Sequence, residues 1–216
     1  AKKINIYNEM AQVLVGFDEN SDVRLFDEDG NMTGGTKIRD AYFINFSRLL
    51  TKDEIKKGSF TLSLGTTTSF TAPFGGGTTT TGIVNLVDKS GSAGYKVNSP
   101  AGEYGILYAT GSTLKVSAVD STGHAPAGLL FYQAGIAVVS ASVFSNLLTD
   151  GTVTGSSTGD DMIEVLTGSA ISASCDALRH KIYNLSFNNT TELNSTVYFC
   201  RTNHNEFNYS SNPTYL

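Results

Sequence analysis

The sequence predicts a mainly β protein: a sandwich- or barrel-like antiparallel β domain with one or two short helices and long Gly/Ser/Thr loops. Three observations predict it. Short apolar runs recur between clusters of Gly, Asn, Asp, Ser and Thr, the mark of many short strands. Gly (22), Thr (25) and Ser (23) make up about a third of the 216 residues, so the loops are built from them. No repeat of ~20 to 50 residues stands out, which removes solenoids and propellers. A chain this long buries roughly 70% of its unfolded surface without metal or crosslinks, so 1–216 reads as one β-rich domain.

The elements follow in order. Ala11–Phe17 and Asp22–Phe26 read as a first pair of strands. Asp29-Gly30 behind them suits a type I′ turn, whose central residues must both tolerate positive φ. From Lys37 to Phe46 the residues Tyr42, Ile44 and Phe46 share one face, as Phe60, Leu62 and Leu64 do later, the period of two of a half-buried strand. Thr51-Lys-Asp-Glu54 has the spacing of a capping box and Gly58 suits a stop, so one short helix is expected between them. Residues 65–82 hold Gly75-Gly-Gly77 and many threonines, and are expected to be either a loop or an arm that orders against a partner with Phe70 and Phe74 as anchors.

Ile106–Tyr108, Leu114–Val119 and Leu129–Tyr132 are strand-like. Ile136–Val139 follows the last of these across Gln133-Ala-Gly135, and the pair reads as a hairpin buried on both faces. The segment 151–161 is a second Gly/Ser/Thr loop. Ser174–Lys181 suits a helical turn with Asp176 early and basic residues late, as the helix dipole prefers. Val197–Cys200 reads as a buried strand.

Composition bounds the function. With 15 Lys+Arg against 20 Asp+Glu the net charge is −5, so the surplus of cations that a nucleic-acid backbone requires is missing. No apolar run approaches the ~18 to 20 residues that span a bilayer. Ala1-Lys2-Lys3-Ile4 is not followed by the ~7 to 15 apolar residues of a signal peptide. The expectation is therefore no nucleic acid and no membrane among the partners.

Nothing in the spacing of chemical groups asks for catalysis or a cofactor. Asp27-Glu-Asp-Gly-Asn31 resembles the start of a calcium loop, but the sixth and twelfth places hold Met32 and Ile38 where Gly and Glu are needed. Asp160, Asp161 and Glu164 read as a solvated turn. His124, His180 and His204 are too dispersed for paired metal ligation. Gly91-Ser-Ala-Gly94 has the wrong spacing for a nucleophile elbow, and Gly75–Gly77 lacks the lysine of a phosphate loop. Cys175 and Cys200 are expected to be free thiols, small buried hydrophobes in a reducing compartment. Seven Asn-x-Ser/Thr triplets, starting at Asn31, Asn45, Asn184, Asn188, Asn189, Asn194 and Asn208, are what a chain rich in these residues supplies by chance. The segment 202–216 is dense in Asn and rings, which makes Asn205, Phe207 and Tyr209, together with Phe70 and Phe74, the candidate assembly contacts.

Three stretches carry a resemblance: Ala41–Phe60, Gly128–Val138, and Ala177–Leu216 with its Asn189–Thr196 and Asn205–Pro213 blocks. They resemble virion structural proteins of contractile-tailed bacteriophages of the marine T4-like group, in particular tail and baseplate components. The resemblance implies a non-enzymatic subunit made in the host cytoplasm and placed in the virion. Its expected partners are other copies of itself and other virion proteins, and it needs no cofactor. Chains of this kind run on past the Asn-Pro-Thr-Tyr block, which implies residues beyond Leu216. A capsid, neck or vertex decoration protein is the alternative within viruses, and a carbohydrate-binding β-sandwich is the alternative of another class.

Overall fold

A computed structural model describes residues 2–65, 74, 83–89, 91–110, 124–144, 171–191, 193 and 195–201. Among these residues the chain forms α1 (Lys2–Leu14), β1 (Phe26–Asp27), β2 (Lys37–Ile38), β3 (Ala41–Asn45), β4 (Glu54–Ile55), β5 (Thr61–Gly65) and β6 (Ile83–Val87). It continues with α2 (Gly91–Gly94), β7 (Tyr104–Thr110), β8 (His124–Phe131), β9 (Ile136–Ser140), α3 (Ile171–Lys181), β10 (Ile182–Ser186) and β11 (Asn189–Thr190). Seven strands make one curled antiparallel sheet, a half-barrel in the order β10-β5-β6-β7-β8-β9-β3. The mainly β, barrel-like class is what the sequence predicts.

Alternation along the strands divides the core in two. Inside the curl lie Tyr42, Leu62, Leu64, Leu86, Leu107, Leu130 and Val139, with Phe46, Phe60 and Phe187 stacked at one end. On the outer face Phe43, Ile106, Leu129, Phe131 and Val138 point the other way. There α1 and the β1–β2 hairpin cover them with Ala11, Leu14, Phe26 and Ile38. The hairpin of β8 and β9 is thus buried on both faces, as its unbroken apolar run predicts. Over β5 the outer face is polar instead, with Thr61 and Ser63, and Ser63 Oγ donates to Asn85 Oδ1 of β6 at 2.7 Å. Two different environments across one sheet explain why some strands alternate and others do not.

Several expectations are corrected. Ala11–Phe17 is not a strand: the helix α1 runs to Leu14, and Tyr7, Met10, Ala11 and Leu14 lie on its packed stripe at helical spacing. Gly16 then ends it at φ +77°, its N–H donating back to Ala11 O at 2.9 Å. Of Asp22–Phe26 only Phe26 enters a strand, Val23 making one isolated bridge to Phe17. Asp29-Gly30 is no type I′ turn, because Gly30 alone of the two has positive φ and the loop between β1 and β2 spans residues 28–36. Thr51–Gly58 holds no helix: Glu54 and Ile55 pair with β11 instead, and Gly58 closes a turn. The helix expected at Ser174–Lys181 begins earlier, at Ile171, so Asp176 falls in its middle, where it pairs with Arg179 at 2.7 Å. Val197–Cys200 is neither strand nor buried. Leu114–Val119 and residues 151–161 lie outside the described residues.

Candidate functional site

Among the described residues the sheet ends at β3, and a cleft of about 1220 Å³ opens beside that edge. Ile4, Ile6 and Tyr7 of α1 form one wall. Ile171 and Leu178 of α3, with Ile182 at the start of β10, form the other. The backbone of β3 lies between them. Phe46 N–H donates to Gly135 O and Ala141 N–H to Asp40 O, which places even-numbered residues in the bonded pairs with β9. By the alternation of an antiparallel ladder, Ala41, Phe43 and Asn45 turn their N–H and C=O groups the other way, onto the cleft. Lys2, Lys3 and Arg39 stand around it with Asp40, and Arg179 is held by its pair with Asp176. Cys175 is also part of its lining.

A second apolar feature follows β11. Leu193 is 90% exposed, Val197 70%, Tyr198 84% and Phe199 95%. Val, Tyr and Phe are residues that favour a pleated, half-buried setting. Here they have none, because among the described residues no strand pairs with 195–201.

The buried charged groups are elsewhere. Asp88 Oδ2 accepts from Tyr132 Oη at 2.8 Å and from Gly58 N at 2.7 Å. Burial pushes its carboxyl up, and the two hydrogen bonds pull it back. Lys57 bridges Glu54 (3.5 Å) and Glu103, with its ammonium over the rings of Tyr95 and Tyr132. Desolvation lowers the Lys57 pKa, but Glu103 and Glu54 outweigh it and the net shift is upward. Asp27 is fully buried and meets Lys37 Nζ at 2.6 Å. These contacts tie β1 to β2 and the β4 turn to the ends of β6 and β8, while the second carboxylate oxygen of Asp27 (Oδ1), Glu54 (Oε2) and Asp88 (Oδ1) is buried without a hydrogen-bond partner among the described residues. Lys181, 1% exposed, has its pKa lowered to about 8 by burial.

Of the residues proposed from the sequence, Phe74 is half-buried with its ring 5.0 Å from that of Tyr183 on β10. Phe70, Asn205, Phe207 and Tyr209 lie outside the described residues. The acidic loop 27–31 is organised by its own groups, Asp29 accepting from Asn31 N at 3.1 Å and Asn31 Nδ2 at 2.6 Å. Among the described residues no three His, Cys, Asp or Glu side chains gather where they would hold a metal. Nor is any described helix long and apolar enough to cross a membrane. His124 Nδ1 lies 3.0 Å from Lys89 Nζ. Both cysteines are free, as expected, but both are exposed rather than buried.

Sequence reasoning missed the free edge of β3. Alternation at Tyr42, Ile44 and Phe46 reveals the strand, yet which strand ends a sheet is fixed by long-range pairing and leaves no local mark. The chain matches no protein-family model, no curated protein and no solved structure.

Proposed function

We propose that this chain is a non-enzymatic structural subunit of a contractile-tailed phage particle, in its tail or baseplate. It is made in the host cytoplasm and works by joining copies of itself and other virion proteins. The observation that carries the reading is the apolar surface a single chain leaves bare: Val197, Tyr198 and Phe199 in one run, and a cleft along an open sheet edge. Natural proteins blunt or cover such edges, and contiguous bare rings mark interaction surfaces. The resemblance of Ala41–Phe60, Gly128–Val138 and Ala177–Leu216 to virion proteins supplies the kind of particle.

Gold-labelled antibody against this chain, applied to intact particles, tests it. Label at the tail end is the expected outcome. Label on the head or neck would move the subunit to a capsid, neck or decoration role. No label would remove the virion reading and leave glycan binding by the isolated chain as the next measurement.

A further inference from the structure

We propose that the segment Ser195–Arg201 of one copy adds as a strand to the free edge of β3 in a second copy, filling the cleft between α1 and α3. The proposal rests on the assembly reading above and names the contact by which two copies join.

Backbone chemistry comes first. Ala41, Phe43 and Asn45 present N–H and C=O groups to the cleft at the two-residue interval of an edge strand, and an extended segment meets them at that interval. The cleft then decides the side chains. Its walls are apolar on both sides, Ile4 and Tyr7 on one and Leu178 and Ile182 on the other. A strand seated there needs apolar residues on both faces. Val197 and Phe199 fall on one face of an extended segment, and Tyr198 and Cys200 on the other. This is the pattern that makes Val197–Cys200 read as a buried strand in sequence while it stands bare in the single chain.

Topology points to the same place. The sheet order begins at β10 and ends at β3, and the cleft is lined by residues of both, Ile182 and Ala41 to Asn45. A strand between them is the eighth, the number at which a barrel interior is just filled by its own side chains. Area separates a stable contact from a chance one. With aromatic side chains burying 150–250 Å² each, the exposed parts of Val197, Tyr198 and Phe199 offer roughly 450 Å². A reciprocal exchange covers that area and the matching cleft twice, roughly 1,800 Å² in all, within the ~1,200 to 2,000 Å² of stable interfaces.

The two cysteines make the test direct, because Cys175 lines the cleft and Cys200 lies in the segment. Full-length Cys175→Ser and Cys200→Ser chains are mixed and treated with a short bismaleimide, and their mass is followed by light scattering. The expected result is a covalent dimer joining Cys200 of the first variant to Cys175 of the second, with a scattering mass of two copies or more. Tyr198→Asp with Phe199→Asp, at positions too exposed to affect folding, should cut the crosslinked yield at least tenfold. A wild-type monomer looped from Cys175 to Cys200 would overturn the proposal, since the segment then closes its own cleft. An unlinked monomer overturns it too, as does a dimer without this link, whose contact lies elsewhere. Particle labelling is independent: labelled particles with unlinked chains would keep the proposed function and discard the strand exchange, and linked dimers with unlabelled particles the reverse.

Discussion

Asp88 and Tyr132 are 44 residues apart in the chain and meet through a 2.8 Å hydrogen bond between carboxylate and phenol. Their approach depends on a residue with no side chain. A Cβ at Gly105 would lie 2.1 Å from Tyr132 Oη and 2.9 Å from Asp88 Oδ1. Gly105→Ala therefore has to push the phenol off the carboxylate. Overpacking costs ~1 to 3 kcal/mol, and loss of a hydrogen bond to a charged group costs ~1.5 to 3 kcal/mol. Tyr132→Phe removes the same bond together with the atom that collides. The two changes act on one contact, so their costs should not add: denaturant titrations of the single and double variants should show a coupling of ~1 kcal/mol or more. Additive costs would mean that Gly105 serves something other than this pair. Gly135 is constrained differently, by φ of +63° in the turn after β8, where a Cβ would also lie 2.9 Å from Leu50 Cδ1.

At the scale of elements the first helix is the sharpest test, because Ala11–Phe17 has two readings. As a strand, Val13 and Val15 share a face and are equally buried or equally exposed. In the structure Val15 is fully buried beside Leu14 and Ala11, whereas Val13 is 66% exposed. Val15→Ser should cost ~2 to 3 kcal/mol through lost apolar burial, while Val13→Ser should stay within ~0.5 kcal/mol. Urea midpoints of the two variants decide between these patterns, and equal losses would restore the strand. The spacing of Tyr7, Met10, Ala11 and Leu14 and the stop at Gly16 already hold the helical signal, but the compact run Val13-Leu-Val15 masks it. Local pattern was sufficient where it was reinforced by turn chemistry, as in β8 and β9 around Gly135, and in β5 with its buried Leu62 and Leu64. It failed at Thr51–Gly58, where Glu54 has the place of a capping residue but is drawn into a buried pair with Lys57 and a two-residue ladder with Thr190. It also failed at Val197–Cys200, where strand propensity is present and no described strand pairs with the segment. The candidate site was legible to that extent only: its strand-forming residues can be read, and the edge that would receive them cannot.

Stability of the whole molecule should depend on pH in two opposed stages, because its buried titratable groups shift in different directions. Lys181 is buried, and its pKa of about 8 lies below the ordinary lysine value. Between about 8 and the unfolded value the unfolded chain holds more protons than the folded one, so stability rises with pH through that window. Below it both states are protonated and the cost of burying the charge is constant. The full rise is roughly 3 kcal/mol, taking 1.36 kcal/mol per pKa unit. Tyr104 and Tyr132 work the other way, since burial pushes both phenols well above their ordinary value of 10.0. Above that value the unfolded chain gives up protons that the folded chain keeps, so stability falls as pH rises further. Asp88, also raised by burial, adds stability at the acid end that is lost as pH climbs through its folded pKa. Melting temperatures from pH 7 to 11 should therefore climb from about 8 and turn down above about 10. Lys181→Met should abolish the climb and leave the downturn, and Tyr132→Phe should soften the downturn and leave the climb. A profile that falls steadily from pH 8 in the wild type would show that the Lys181 ammonium is held in its charged form inside the fold.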